Sequence, residues 1–231
     1  AVETDVKLII VLDCGIKAIK EIQYAKEHGI DFIICDHHVP DDELPPAVAI
    51  LNAKRTDDTY PYGDLSGCGV GFKLIQAFAK NNGIPFSELI PLLDLCAVSI
   101  ASDIVPIMGE NRILAYHGLR QLNQSPCVGL KAIMELCGLE GKEITMSDVI
   151  YKIGPRLNAS GRIGNGSASV ELLISKDAEQ AKHKAAQINH YNEQRKDLDK
   201  VMTEQANQIV ASLVHKSDHK AIVIYNEEWH K

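Results

Sequence analysis

The sequence predicts an α/β fold: a parallel sheet with flanking helices, then a helical region, then one long connecting helix. Three observations carry this. The first 51 residues hold three short, nearly continuous apolar runs (KLIIVL, DFIIC and AVAIL), with a helical stretch between the first two. Strands buried on both faces of a parallel sheet have that composition. Residues 68–175 read mainly as helices, and residues 177–215 keep one helical stripe between charged faces.

Taken in order, Lys7–Leu12 is the first strand and ends in Asp13-Cys14-Gly15. Residues 16–28 follow as a helix, with Ile19, Ile22 and Ala25 at helical spacing and Gly29 as the stop. Asp31–Cys35 is a second strand ending in Asp36-His37-His38, and Ala47–Leu51 a third. Both acidic motifs therefore follow a strand directly, at the edge where open α/β sheets bind ligands. Residues 53–67, with Pro61, Gly63 and Gly67, read as a loop. Helices are expected over 69–81, 86–102, 111–122 and 129–136, and Thr145 or Ser147 is available to cap another.

In the last long segment Ile188, Tyr191, Leu198, Val201, Met202, Ile209, Val210 and Leu213 form the stripe. A helix of that length reaches roughly 57 Å at 1.5 Å per residue, and such helices usually bridge two bodies. Lys220–Tyr225 reads as a strand with no sheet of its own. The expected division is a first lobe over 1–175, a connecting helix over 176–216 and the start of a further domain over 217–231.

The composition, 45% hydrophobic and 24% charged, is that of ordinary globular protein. No run approaches the roughly 18 apolar residues of a membrane span. Ala-Val-Glu-Thr-Asp lacks the basic and apolar parts of a secretory leader. A soluble, cytoplasmic protein is expected. Six cysteines without a CxxC pair read as buried, reduced thiols and not as a zinc site. The net charge of −7 counts against a uniformly basic nucleic-acid face. Acidic metal ligands also push a total negative, however, and bound divalent ions reverse the sign locally.

Four elements carry chemistry. Asp13 and Asp36-His37 end neighbouring strands about 4.8 Å apart, so they can converge on one ion. Imidazole plus carboxylate suits Mn²⁺ or Fe²⁺ better than Ca²⁺. Asp103, in Ala-Ser-Asp-Ile-Val-Pro, follows an apolar stretch where an acid is otherwise out of place; its bland reading is a helix-end or turn residue. Gly154 to Arg162 (GPRLNASGR) sets Arg156, Asn158, Ser160 and Arg162 among glycines, which suits an anion cradle as well as an ordinary turn.

Together these elements resemble the DHH phosphoesterase superfamily, and its RecJ branch closely. The matching words are LDCG (12–15), CDHH (35–38), GCGVGFKL (67–74), ASDIVP (101–106) with Asn111-Arg112, and GPRLNASGR (154–162). The last selects RecJ-like enzymes over the superfamily's pyrophosphatases and small-oligonucleotide phosphodiesterases. The resemblance implies that Asp13 is shared between two metal ions, Mn²⁺ or Mg²⁺, with His37 and Asp103 as further ligands. It makes Asp36 a ligand or a partner that orients the histidines, and it sets His38 to meet the scissile phosphate. Arg156, Asn158, Ser160 and Arg162 become contacts to the phosphate backbone. The implied reaction is 5′-to-3′ hydrolysis of single-stranded DNA, with water attacking phosphorus in line. A DNA repair and recombination role follows, with single-stranded DNA and a single-strand-binding protein as partners and no membrane. The competing readings are another DHH phosphoesterase, such as a pyrophosphatase or cyclic-dinucleotide phosphodiesterase, and a non-catalytic nucleic-acid-binding module.

The sequence departs from the family's pattern in two places. An Asp-x-Asp motif on a strand before Asp13 is missing, as is the glycine-rich DHH-associated domain. The expectation is a central fragment with little or no nuclease activity and an uncovered sheet edge near residues 1–12.

Overall fold

The computed structural model describes residues 3, 5–163, 165–213 and 221–229. It is α/β. β1 (Leu8–Leu12), β2 (Asp31–Cys35) and β3 (Ala49–Leu51) form a parallel sheet in the order β1-β2-β3. α1 (Ile19–Glu27) joins β1 to β2 and packs on β2, while α2 (Gly67–Asn81) packs on β1 and β2. Ile34 and Cys35, at the middle of the sheet, have no solvent contact. Each such isoleucine contributes about 1.5–3 kcal/mol by burial. β1 lies at the edge, with Leu8, Ile10 and Leu12 about half exposed.

Two compact units divide the chain: Ala1–Cys127 with Gly141–Gly154, and Val128–Glu140 with Pro155–Lys231. The break runs inside the stretch that the sequence reading put in one lobe. In the first unit, α3 (Leu93–Ser102) packs on α4 (Gly109–Gln124) and α2. Gly118 lets α3 and α4 touch, since a Cβ there would lie 2.2 Å from the Leu93 carbonyl. The helix expected over 86–102 is broken. Residues 86–88 and 90–92 form two 3₁₀ turns before α3, because Pro91 has no N–H to give and fits only a first turn.

After α5 (Val128–Leu136), Thr145 caps α6 (Met146–Asp148), a single turn. Its hydroxyl and the Asp148 carboxylate satisfy each other's backbone amides in a capping box. A π-helical turn over Val149–Ile153 follows and runs into α7 (Gly154–Ile163).

The second unit packs α5, α8 (Ser167–Leu173) and α9 (Ala178–Leu213) together. α9 is the expected long helix. Its first half is anchored by Ala181, Ala185 and Ile188, all without solvent contact, whereas Val201, on the predicted stripe, is exposed. Residues 221–226 form no strand, since an isolated strand leaves its backbone groups unpaired. The expected helix end at 215–216, the Leu213 side chain and Lys220 lie outside the described residues. No helix among the described residues is long and apolar enough to cross a membrane.

Lys152 and Thr145 hold the Asp148 carboxyl down at about 2. A folded pKa below the ordinary 3.8 means that this stabilisation is complete above 3.8 and lost as pH falls through about 2. Thr145→Ala should therefore cost about 1 kcal/mol at pH 7 by denaturant unfolding. The gap to wild type should narrow below pH 3.8; a gap independent of pH would contradict this account.

Candidate metal centre

The strand register performs the first step of assembly. Leu12 pairs with Cys35, and Cys35 with Leu51. The next residue on each strand, Asp13, Asp36 or Asn52, thus emerges abreast at the carboxyl edge. The ladder continues one step beyond the strands, from Asp13 N–H to the Cys35 carbonyl (2.8 Å) and from Asp36 N–H to the Leu51 carbonyl (3.1 Å).

Asp13 leaves β1 with φ +64° and Gly15 follows with φ +100°. Left-handed backbone turns the chain sharply here, and Asp is among the few side chains that tolerate it. The Asp13 carboxylate then lies against the start of α2. A Cβ built on Gly67 would sit 2.1 Å from Asp13 Oδ1, so only glycine leaves room for it.

Asp36 is 1% exposed. Its Oδ2 accepts from Ile16 N–H (3.0 Å). Its Oδ1 accepts from the amides of His37 (2.7 Å) and His38 (3.2 Å), and meets His38 Nδ1 at 2.7 Å. Burial works against its ionisation. The bonds from the His38 ring and the Ile16, His38 and His37 amides outweigh burial and hold the carboxyl below its usual range.

His37 is buried, and its Nε2 lies 3.1 Å from Asp13 Oδ1 and 3.2 Å from Asp103 Oδ2. Its Nδ1 is buried without a hydrogen-bond partner, so the ring engages its surroundings through Nε2. Asp103 is the C-cap residue of α3, and Ile104 after it has φ +55°. Left-handed backbone at a β-branched residue costs on the order of 1–3 kcal/mol. It ends the helix at Asp103 and turns the chain away. Ligand atoms of Asp13, His37 and His38 all lie within 4.8 Å of one another.

Burial pushes the Asp13 carboxyl up; His37 pulls it down, and Asp103 and Asp36 push it up again. Two carboxylate oxygens facing one imidazole nitrogen repel each other, and a shared cation relieves that repulsion. The donor set, carboxylate oxygen plus imidazole, fits a divalent ion of the Mn²⁺ kind. Asp13, His37, His38 and Asp103 are thus brought together. Asp36 stands behind them with its oxygens committed to protein groups.

The other predicted residues lie on α7, in the second unit. The expected glycine-rich loop is a helix, because Arg, Leu and Ala favour one and Pro155 falls in its first turn, where proline is tolerated. Its interior N–H groups are therefore engaged in the helix and form no backbone cradle. Arg156 Nε donates to Asn189 Oδ1 (2.9 Å). Ser160 is buried, with its hydroxyl donating to the Leu157 carbonyl (3.0 Å) and 2.7 Å from Ser169 Oγ. Asn158 and Arg162 are exposed, one turn apart on the same side. Arg162 borders a cavity of about 460 Å³ with Ile163, Gln194 and Asp197.

The chain is similar to known proteins in both sequence and fold. Residues 2–100 match the DHH family, N-terminal domain. Over nearly its whole length it is similar to RecJ-type exonucleases. It is 39% identical over 227 residues to the single-stranded-DNA-specific exonuclease RecJ of Bacillus subtilis (strain 168), covering 98% of this chain and 28% of that protein. With the RecJ of Haemophilus influenzae it shares 35% identity over 241 residues, covering all of this chain and 42% of the relative. The crystal structure of RecJ in complex with Mn²⁺ from Thermus thermophilus superposes with a TM-score of 0.80 at 30% identity, over 97% of this chain and 33% of that one. A crystal structure of exonuclease RecJ bound to manganese gives 0.79 at 30% identity, over 97% and 55%. The chain spans less than half the length of these curated relatives.

Sequence reasoning did not single out Gly67 or Asn52. Gly67 lies in a quoted motif, but its purpose shows only once α2 is set against Asp13. Gly67→Ala should displace the Asp13 carboxylate and weaken Mn²⁺ binding about tenfold or more, read by paramagnetic resonance titration. Unchanged Mn²⁺ affinity in a folded Gly67→Ala protein would show that Asp13 does not need this space.

Proposed function

We propose that the chain is the catalytic core of a metal-dependent exonuclease that hydrolyses single-stranded DNA from its 5′ end. The convergence of Asp13, His37 and Asp103 at the sheet's carboxyl edge carries this reading, and the RecJ relatives support it. Asp13, His37 and Asp103 would hold Mn²⁺ or Mg²⁺, the ions with which the similar RecJ structures are in complex. Bound in a pair, such ions supply charge stabilisation for the attacking and leaving oxygens of a phosphodiester.

The chain's own groups do the rest. Asp36 engages His38 at Nδ1 and so leaves Nε2 as the ring nitrogen turned to the reacting phosphate. Asp36 also fixes the backbone of both histidines. Arg162, with Asn158 beside it, offers a fork for a backbone phosphate, and Arg156 would act alongside. Ser160 would support the helix from inside. We assign the protein to DNA repair and recombination in the cytoplasm, with a single-strand-binding protein as its partner.

Asp13 and Asp103 are the carboxylates free to bind ions among the described residues at this site. Two hard divalent ions prefer more oxygen donors than these offer. The 231 residues alone should therefore turn over 5′-labelled single-stranded DNA with Mn²⁺ far more slowly than the protein at its full natural length. Equal rates would overturn that reading. A long form that leaves the DNA intact but hydrolyses pyrophosphate or a cyclic dinucleotide would support another DHH phosphoesterase.

The second test concerns DNA contact. In the full-length protein, Arg162→Ala should weaken single-stranded DNA binding on all sequences alike. It should also flatten the log–log salt dependence by about 0.7. An unaltered salt slope would remove Arg162 from the phosphate path.

A further inference from the structure

Asn52 follows β3 directly and is 2% exposed. Its Nδ2 donates to the His38 carbonyl at 2.8 Å, across fourteen residues of chain. Its Oδ1 accepts from Lys54 N–H at 2.9 Å, which fixes the orientation of the amide. Asn52 is next to Leu51, whose carbonyl takes the Asp36 amide. The turn carrying both histidines is therefore held at two ends. Asp36 gathers its amides and the His38 ring, and Asn52 holds the carbonyl by which the chain leaves His38.

We propose that Asn52 is a positioning residue for the reaction: it fixes the His38 backbone so that the ring, tethered at Nδ1 by Asp36, presents Nε2 along one direction. This deepens the exonuclease reading and rests on it. Asp36 alone cannot do this work. Its bond to the ring leaves the His38 carbonyl free to swing about the peptide axis, and His38 is more than half exposed, so solvent does not confine it. A catalytic group has to be held within about 0.5 Å of its productive place. A second anchor from the neighbouring strand, aligned by the same register that aligns Asp36, meets that need.

The variant that separates positioning from plain stability is Asn52→Asp in the full-length protein. It has the same shape and keeps the acceptor for Lys54, but it replaces the N–H facing the His38 carbonyl by an oxygen. The control is Asn123→Asp. Asn123 makes a comparable clamp in α4, donating to the Leu119 and Ile144 carbonyls and accepting from Ile144 N–H. Three readouts are taken on each: kcat and KM on 5′-labelled single-stranded DNA, Mn²⁺ affinity, and the thermal midpoint. Asn52→Asp should lower kcat about tenfold or more, with KM and Mn²⁺ affinity within about threefold of wild type. Asn123→Asp should lower the midpoint at least as far and leave kcat near wild type. The proposal is overturned if Asn52→Asp keeps its kcat, or if both variants lose kcat in step with their midpoints. It also falls if Asn52→Asp loses Mn²⁺ affinity with kcat intact at saturating metal. A wild-type protein inactive on single-stranded DNA would sink the exonuclease reading itself, and this proposal with it.

Discussion

Asp36 carries a negative charge almost without solvent contact, and an ion so placed must be answered by donors or not exist. Its four donors come from the turn before α1 and from the two histidines that follow it. Satisfying this one carboxylate therefore joins the β1–α1 connection to the end of β2. That brings Asp13 and His37, which sit in those two segments, to within 3.1 Å. Replacement of Asp36 by an apolar residue would leave buried amides without acceptors, and the site would come apart before any ligand arrived.

The sheet makes this possible because its strands are parallel and end in register. Parallel strands all present their carboxyl ends at one edge, so three residues far apart in sequence become neighbours at no further cost in chain entropy. The remaining acid at this edge, Asp103, comes from the end of a helix. Its placement goes with the left-handed turn at Ile104, whereas the Asp13 carboxylate depends on the close approach of α2 through Gly67. Left-handed backbone and a side-chain-free approach gather around the carboxylates here, as strain does at functional sites.

Strands, the strand-end acids and the long helix were legible because each leaves a local signal. Apolar runs mark β1 and β2, an acid straight after such a run is conspicuous at Asp13 and Asp36, and the α9 period persists over many turns. Other features depend on tertiary placement. Gly67 is one glycine among several until a Cβ is set beside Asp13. Asn52 after a strand looks like any turn residue, since its partner is fourteen positions away. The α7 segment misled because glycine and proline usually punctuate loops; here Pro155 occupies a first turn and Gly161 stays inside the helix. Pro91 had the opposite effect, breaking a helix that the apolar pattern alone carries straight through.

The acidic total of −7 is consistent with a protein that handles a polyanion. Charge matters to a phosphate through local potential and not through the sum over the chain. At the carboxyl edge of the sheet the fixed groups are acids, so the bare site repels DNA. The pair of divalent ions proposed for this site would add positive charge there and reverse the sign. On the proposed function, attraction of substrate would then depend on prior loading with metal, and an unloaded site would reject the strand. On the proposed function, the acids at Asp13 and Asp103 would serve twice, as ligands for the ions and as the repulsion that keeps DNA away until the ions are in place.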